Sequence, residues 1–183
     1  MSSTPPAAAG PAAAGPAGGG PAAGDGQPPD LGELASRMGI VLDRLEPGHA
    51  VGHLVVEGNR QPAGLLNGGA SAALVETLGS VLAFFDAGPD GSAVGIELSV
   101  SHHLGVRTGR VTGVASALHR GRTVACYEVV LTDEAARRVA TGRLTCAIRR
   151  PRLDDRGGTA DRGGTADGGG TADSSGVGRT GPV

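Results

Sequence analysis

Glu76 is the one ionisable side chain in a long apolar stretch. Between Ala70 and Phe85 the only other polar side chains are Ser71, Thr77 and Ser80. Withdrawing a carboxylate from water is costly unless something compensates it. Either Glu76 is paired with a structural partner such as an arginine, or it is there to act as a nucleophile or general base. Ser80 follows four residues later, on the same face of a helix, where its hydroxyl can position a carboxylate or a water. Just upstream, Gln61 to Gly69 form a glycine-rich entry ending in Asn67-Gly68-Gly69. A helix opening there presents unpaired N–H groups and the positive end of its dipole, a setting that favours developing negative charge.

Other chemistry-bearing residues are weaker candidates. His49 and His53 lie four apart and can share a strand face, but no third ligand stands nearby, so no metal site is expected. Cys126 has no evident base, and the Cys126 and Cys146 pair matches no zinc spacing; both are expected as reduced core thiols. His102 and His103 must point to opposite faces of a strand, and His102 is favoured as the functional one.

These residues need elements to hold them. Spacing predicts a short helix over 31–38 and strands over 40–45 and 50–56, joined by the turn Glu46-Pro47-Gly48. A long helix is expected over 68–87, capped by Asn67 and stopped by Gly88-Pro89-Asp90-Gly91. Four strands follow, over 93–104, 110–119, 123–132 and 139–148. In the last two, Thr123, Ala125, Tyr127, Val129 and Leu131 alternate onto one face, and Ala140, Gly142, Leu144, Cys146 and Ile148 do the same. Short connections make these strands antiparallel neighbours. A helix apolar nearly all round is expected to be buried, so the expected fold is α+β: a long central helix wrapped by a six-stranded antiparallel sheet.

The rest of the composition sets limits. Residues 1–30 are almost wholly Ala, Gly and Pro, and residues 151–183 carry three near-copies of a hexamer, 156–161, 162–167 and 168–173, each reading Arg or Gly followed by Gly-Gly-Thr-Ala-Asp. Lacking large apolar residues, both ends read as disordered tails around one domain, 31–150. Net charge is −2, with no basic stripe and few aromatics, so nucleic-acid binding is not expected. No cation precedes Arg37 and no apolar run is expected to reach membrane-spanning length, so neither leader nor membrane anchor is expected and the location reads as cytoplasmic.

The motif Gln61-x5-Asn67-Gly68-Gly69-x6-Glu76-x3-Ser80 resembles that of the hotdog-fold acyl-CoA thioesterases. The nearest branch is that of the 1,4-dihydroxy-2-naphthoyl-CoA, 4-hydroxybenzoyl-CoA and phenylacetate-pathway thioesterases. The likeness continues through Val94-Gly95-Ile96-Glu97, Ser101-His102, Gly109-Arg110-Val111, the turn His119–Thr123 and the closing Arg143-Leu144-Thr145. It implies hydrolysis of an aromatic or bulky acyl-CoA to the free acid and coenzyme A, with no metal or redox cofactor. Gly68 and Gln61 would hold the carbonyl oxygen, Glu76 would attack it or activate water, and Ser80 would assist. Gly95, His102, His119, Arg120, Gly121, Arg122 and Thr123 would contact substrate or coenzyme, the arginines suiting phosphates. The resemblance also implies a homodimer or homotetramer with sites shared between protomers. Release or proofreading of acyl groups on a carrier protein is the alternative substrate reading, and a non-catalytic acyl-CoA-binding domain the alternative class. One departure stands out: the family usually has His where this chain has Asn67, which can cap a helix but cannot carry a proton near neutral pH.

Overall fold

Asn67 decides where the long helix begins. Its backbone is extended (φ −65°, ψ 135°) while its side-chain oxygen accepts the Gly69 N–H, the usual arrangement of an N-cap. Gly88, with φ +82°, ends the helix. The computed structural model describes residues 29–150, so the expectations for the two tails lie outside the described residues, apart from Pro29 and Asp30. The elements are α1 (Gly32–Met38), β1 (Val41–Glu46), β2 (His49–Val55), α2 (Gly68–Ala87), β3 (Ser92–His102), β4 (Arg110–Arg120), β5 (Val124–Asp133) and β6 (Arg138–Arg149).

The six strands form one antiparallel sheet in the order β1-β2-β4-β5-β6-β3. The β4-β5-β6 meander follows from its short turns. β3 does not pair with β4, its successor in sequence. It runs from Ser92 opposite Arg149 to His102 opposite Ala140, along the far side of β6, and so becomes an edge. The turn after α2 delivers the chain to that edge, and residues 103–109 carry it back to pair with β2.

Alternation places Ala125, Tyr127, Val129 and Leu131 of β5, and Ala140, Leu144, Cys146 and Ile148 of β6, in the core against α2. Thr123 departs from that pattern: it precedes β5 and is exposed. Small residues let the helix sit close to the sheet. A Cβ on Gly52 or Gly113 would lie 2.7 Å from a Leu78 methyl, and one on Gly142 would collide with Val75.

The expectation of a helix buried all round needs correction. Leu74, Val75, Leu78 and Leu82 are fully buried, but Ala72, Ala73, Glu76, Thr77, Ser80 and Phe84 are only half-buried and Phe85 is exposed. A single sheet layer can cover only one side of a helix. The reading that no apolar run reaches membrane-spanning length also fails, because α2 is long and apolar enough by length and composition. Its packing against five strands accounts for that composition as a core helix.

Candidate functional site

The entry to α2 is tied down at several points. The Asn59 side-chain amide donates to Met38 O and Val55 O at 2.8 and 3.0 Å, and the Asn67 N–H donates to Asn59 O at 2.8 Å. A tight turn between Gln61 and Gly64 is closed by Gly64 N–H to Gln61 O at 2.9 Å, and the Leu66 N–H reaches Val106 O at 2.7 Å. Gln61 is half-buried within this braced loop.

At the helix start the N–H groups can be accounted for one by one. Gly69 donates to Asn67 Oδ1 at 2.7 Å; Ala70 and Ser71 donate to Asn67 O at 3.0 and 3.2 Å. Among the described residues the Gly68 N–H meets no acceptor, and it lies where the helix dipole is positive. The imidazole of His102 closes over this point: a Cβ on Gly68 would be 3.1 Å from its Nε2. His103 turns to the other face of the sheet, its Nε2 3.0 Å from Thr141 Oγ1.

Glu76 sits two turns further along. Its carboxylate receives a long hydrogen bond from Ser80 Oγ, 3.4 Å, and enters no ion pair among the described residues. The arginine partner that a structural reading would require is therefore not found. Space for the carboxylate comes from Gly95, where a Cβ would stand 2.6 Å from Oε1. The β3 register shifts between Gly95 and Glu97, and such bulges re-aim the strand locally. Opposite Gly95 stands Cys146, whose thiol is pushed up to about 11 by burial and secondarily by the nearby Glu76 charge. Sequence reasoning treated Cys146 as core packing and did not place it beside the carboxylate; only the β3–β6 register shows that.

The donor at Gly68 and the carboxylate of Glu76 are not brought together within one chain. Eight residues of α-helix separate them by about 12 Å along the axis. Their contacts on β3, His102 and Gly95, are seven residues apart.

A third group lies toward the C-terminal end of α2. The turn after β4 is closed by Gly121 N–H to Val124 O at 2.9 Å, and the exposed His119 ring reaches back over Gly121. Arg120 is held by Asp86 in an ion pair of 2.7 Å. The buried Tyr127 donates to the same carboxylate at 3.1 Å, and burial, then the Asp86 charge, raises its phenol well above the usual value. Arg150 donates to Gly121 O at 3.1 Å and to Asp86 O at 3.3 Å. Arg122 is exposed and enters no ion pair among the described residues. The Thr123 carbonyl accepts the Ile148 N–H at 2.8 Å. Asp86, which anchors this turn, was missed from sequence because its partners are 34 and 41 residues away.

His53 is bound to Asp43, Nδ1 to Oδ2 2.8 Å, and no cluster of three or more His, Cys, Asp or Glu residues that could hold a metal occurs among the described residues.

Comparison with known proteins agrees with this architecture. A family model described as the thioesterase superfamily matches residues 63–140, from the loop ahead of α2 into β6. The proofreading thioesterase EntH of Cronobacter sakazakii is 44% identical over 119 residues, which are 64% of this chain and 87% of the relative. The crystal structure of thioesterase HI1161 from Haemophilus influenzae matches with a TM-score of 0.62 and 27% identity, covering 64% of this chain and 82% of that one. S. sahachiroi AziG matches with a TM-score of 0.64 and 32% identity, over 66% and 99% of the two chains. With such similarity along most of a thioesterase and the same fold in solved thioesterase structures, this chain belongs to the thioesterase superfamily and is a thioester hydrolase of the hotdog fold.

Proposed function

We propose that the protein hydrolyses an aromatic or similarly bulky acyl-CoA to the free acid and coenzyme A, in a site shared between two copies of the chain. The observation that carries this reading is the separation of an open donor from a carboxylate that has no counter-charge among the described residues. Among the described residues the Gly68 N–H has no acceptor and Glu76 no counter-charge, yet one α2 holds them about 12 Å apart. A single carbonyl must be within hydrogen-bond reach of the first and attack distance of the second. Glu76 of the partner subunit meets that requirement. The open edge at β3, with Val94, Ile96 and Leu98 exposed, is the kind of apolar strand edge that a second copy would cover.

In this reading Gly68 N–H and the Gln61 amide hold the carbonyl oxygen as it becomes an oxyanion. The Glu76 carboxylate attacks the carbonyl carbon directly, or removes a proton from the water that does. Collapse of the tetrahedral intermediate breaks the C–S bond and releases the thiolate, which takes back the proton held by Glu76 where Glu76 acted as base, or a proton from water where Glu76 attacked directly. Where Glu76 is the nucleophile, water then cleaves the acyl anhydride and restores the carboxylate. Ser80 orients Glu76 or the water. Gly95 leaves room for the carboxylate, and His119, Gly121 and Thr123 shape the coenzyme contact. Arg122 is the turn's available cation for phosphates, since Arg120 is already neutralised by Asp86.

A second reading has its own support: the similar proteins of several enteric bacteria are named proofreading thioesterases. Proofreading fits removal of a wrong acyl group from the phosphopantetheine arm of a carrier protein, which presents the same thioester. The test is thiol release from a panel of aromatic and aliphatic acyl-CoAs and acyl-carrier proteins, with wild-type and Glu76→Gln protein. Turnover of aromatic acyl-CoAs that vanishes in the variant supports the first reading. Turnover confined to carrier-bound groups supports the second, and turnover that survives Glu76→Gln removes Glu76 from the mechanism.

A further inference from the structure

The end of β3 carries an imidazole that the hydrolytic reading leaves without a defined task. His102 pairs with Ala140 across the β3–β6 ladder, and Ala140 is buried on the α2 side, so the two side chains share the face turned toward the helix. The ring stands over the first residue of α2, with Nε2, Cε1 and Cδ2 at 3.1, 3.4 and 3.7 Å from where a Gly68 Cβ would be. No hydrogen bond engages either ring nitrogen of His102 among the described residues, whereas neighbouring His103 is bonded to Thr141.

Asn67 is already committed at this spot. Its side-chain oxygen caps Gly69 and its carbonyl takes Ala70 and Ser71. The open donors at the helix start, among the described residues, are the Gly68 N–H, the Asn67 side-chain NH2 and the imidazole, which stands directly over Gly68. A Cβ lies about 2.5 Å from its own backbone nitrogen, which puts His102 Nε2 within roughly 5.6 Å of the Gly68 nitrogen. Two donors that close can both reach one oxygen at about 2.9 Å.

We propose that His102 is a catalytic residue: its Nε2–H donates a further hydrogen bond to the thioester oxygen, beside those of the Gly68 N–H and the Gln61 amide, and strengthens as that oxygen gains charge. This rests on the shared-site hydrolysis proposed above and gives His102 a task distinct from general substrate or coenzyme contact. A donor that tightens in the transition state lowers kcat when removed, while a residue that only touches the bound coenzyme raises KM.

The experiment compares wild type with His102→Ala, His102→Gln and Asn67→His, and with Asn67→His combined with His102→Ala, on the best acyl thioester. His102 is exposed, and thermal melting verifies that each variant folds. His102→Ala is expected to lower kcat about 100-fold with KM changed less than threefold, the effect of losing one oxyanion donor. His102→Gln, which keeps an N–H donor, should recover at least tenfold of that. Asn67→His sets an imidazole on the neighbouring residue, and its benefit in the His102→Ala background should exceed its benefit in wild type by at least tenfold. Unchanged kcat in His102→Ala, a change confined to KM, or equal effects of Asn67→His in both backgrounds would overturn the proposal. Failure of the hydrolytic reading looks different: wild-type protein would be inactive, or Glu76→Gln would retain full activity.

Discussion

The two faces of α2 obey different rules. Toward the sheet, Leu74, Val75, Leu78 and Leu82 are fully buried and meet strands cut back to glycine at Gly52, Gly113 and Gly142. Away from it, Ala73, Glu76, Thr77, Ser80 and Phe84 remain half-buried, and among the described residues Glu76 has only Ser80 as a hydrogen-bond partner. The first face is shaped by volume, where each methyl group has a place. The second keeps a half-buried carboxylate that has no counter-charge among the described residues. In the proposed shared site, α2 is then apolar nearly all round for two separate reasons, packing on one side and assembly around chemistry on the other.

The comparison breaks first at its strongest point. Glu76→Gln is expected to cut turnover at least about 1,000-fold while leaving the melting temperature within a degree or two of wild type, as steady-state kinetics and calorimetry will show. Leu78→Ala, only two residues on, should do the reverse. It should cost about 2–5 kcal/mol of folding stability in urea titrations, with the turnover of the remaining folded protein largely kept. If both variants lost activity and stability together, the two faces would not be separable.

A smaller effect sharpens the boundary between them. Asn67→Ala removes the side-chain acceptor for Gly69 and should destabilise the protein by about 1 kcal/mol, measurable as a lower urea midpoint at unchanged slope. The smallest effect is electrostatic. Cys146 holds its proton up to about 11 in the fold, against an ordinary value of 9.0, so the unfolded chain loses that proton first. Its contribution to stability is therefore full below about pH 9 and fades as pH rises toward 11. Tyr127 acts in the same direction, because its phenol is also raised. Melting temperature should fall across this window, and less steeply in Cys146→Ala.

What could be read from the chain was whatever depends on near neighbours. The ends of α2 match the expected 68–87 because Asn67 caps and Gly88 terminates through bonds only a few residues long. The inward faces of β5 and β6 follow from strict alternation. The place of β3 could not be read, since pairing with β6 is a long-range choice that no local pattern encodes. The same holds within the site. The open Gly68 N–H follows from capping logic, and its distance from Glu76 from helical rise. The notch at Gly95, the nearness of Cys146, and the Asp86 anchor for Arg120 and Tyr127 all depend on strand register. The burial of α2 was overstated because apolar composition cannot distinguish a face covered by its own sheet from one that the sheet leaves half-buried.

The most direct test of the central claim, a site built from two chains, is complementation between two inactive proteins. One is Glu76→Gln. The other is Gly68→Pro, which deletes the free N–H at the first helical position, where proline is tolerated; Asn67, at ψ 135°, already has the backbone preferred before a proline. Co-expressed under distinguishable tags and purified together, the two should assort at random. Half of the dimers would then be mixed, each with one site keeping both groups, and activity should return to about a quarter of wild type. Mixed dimers that stay as inactive as either parent would contradict the account, because that result places Gly68 and Glu76 in the same site of a single chain.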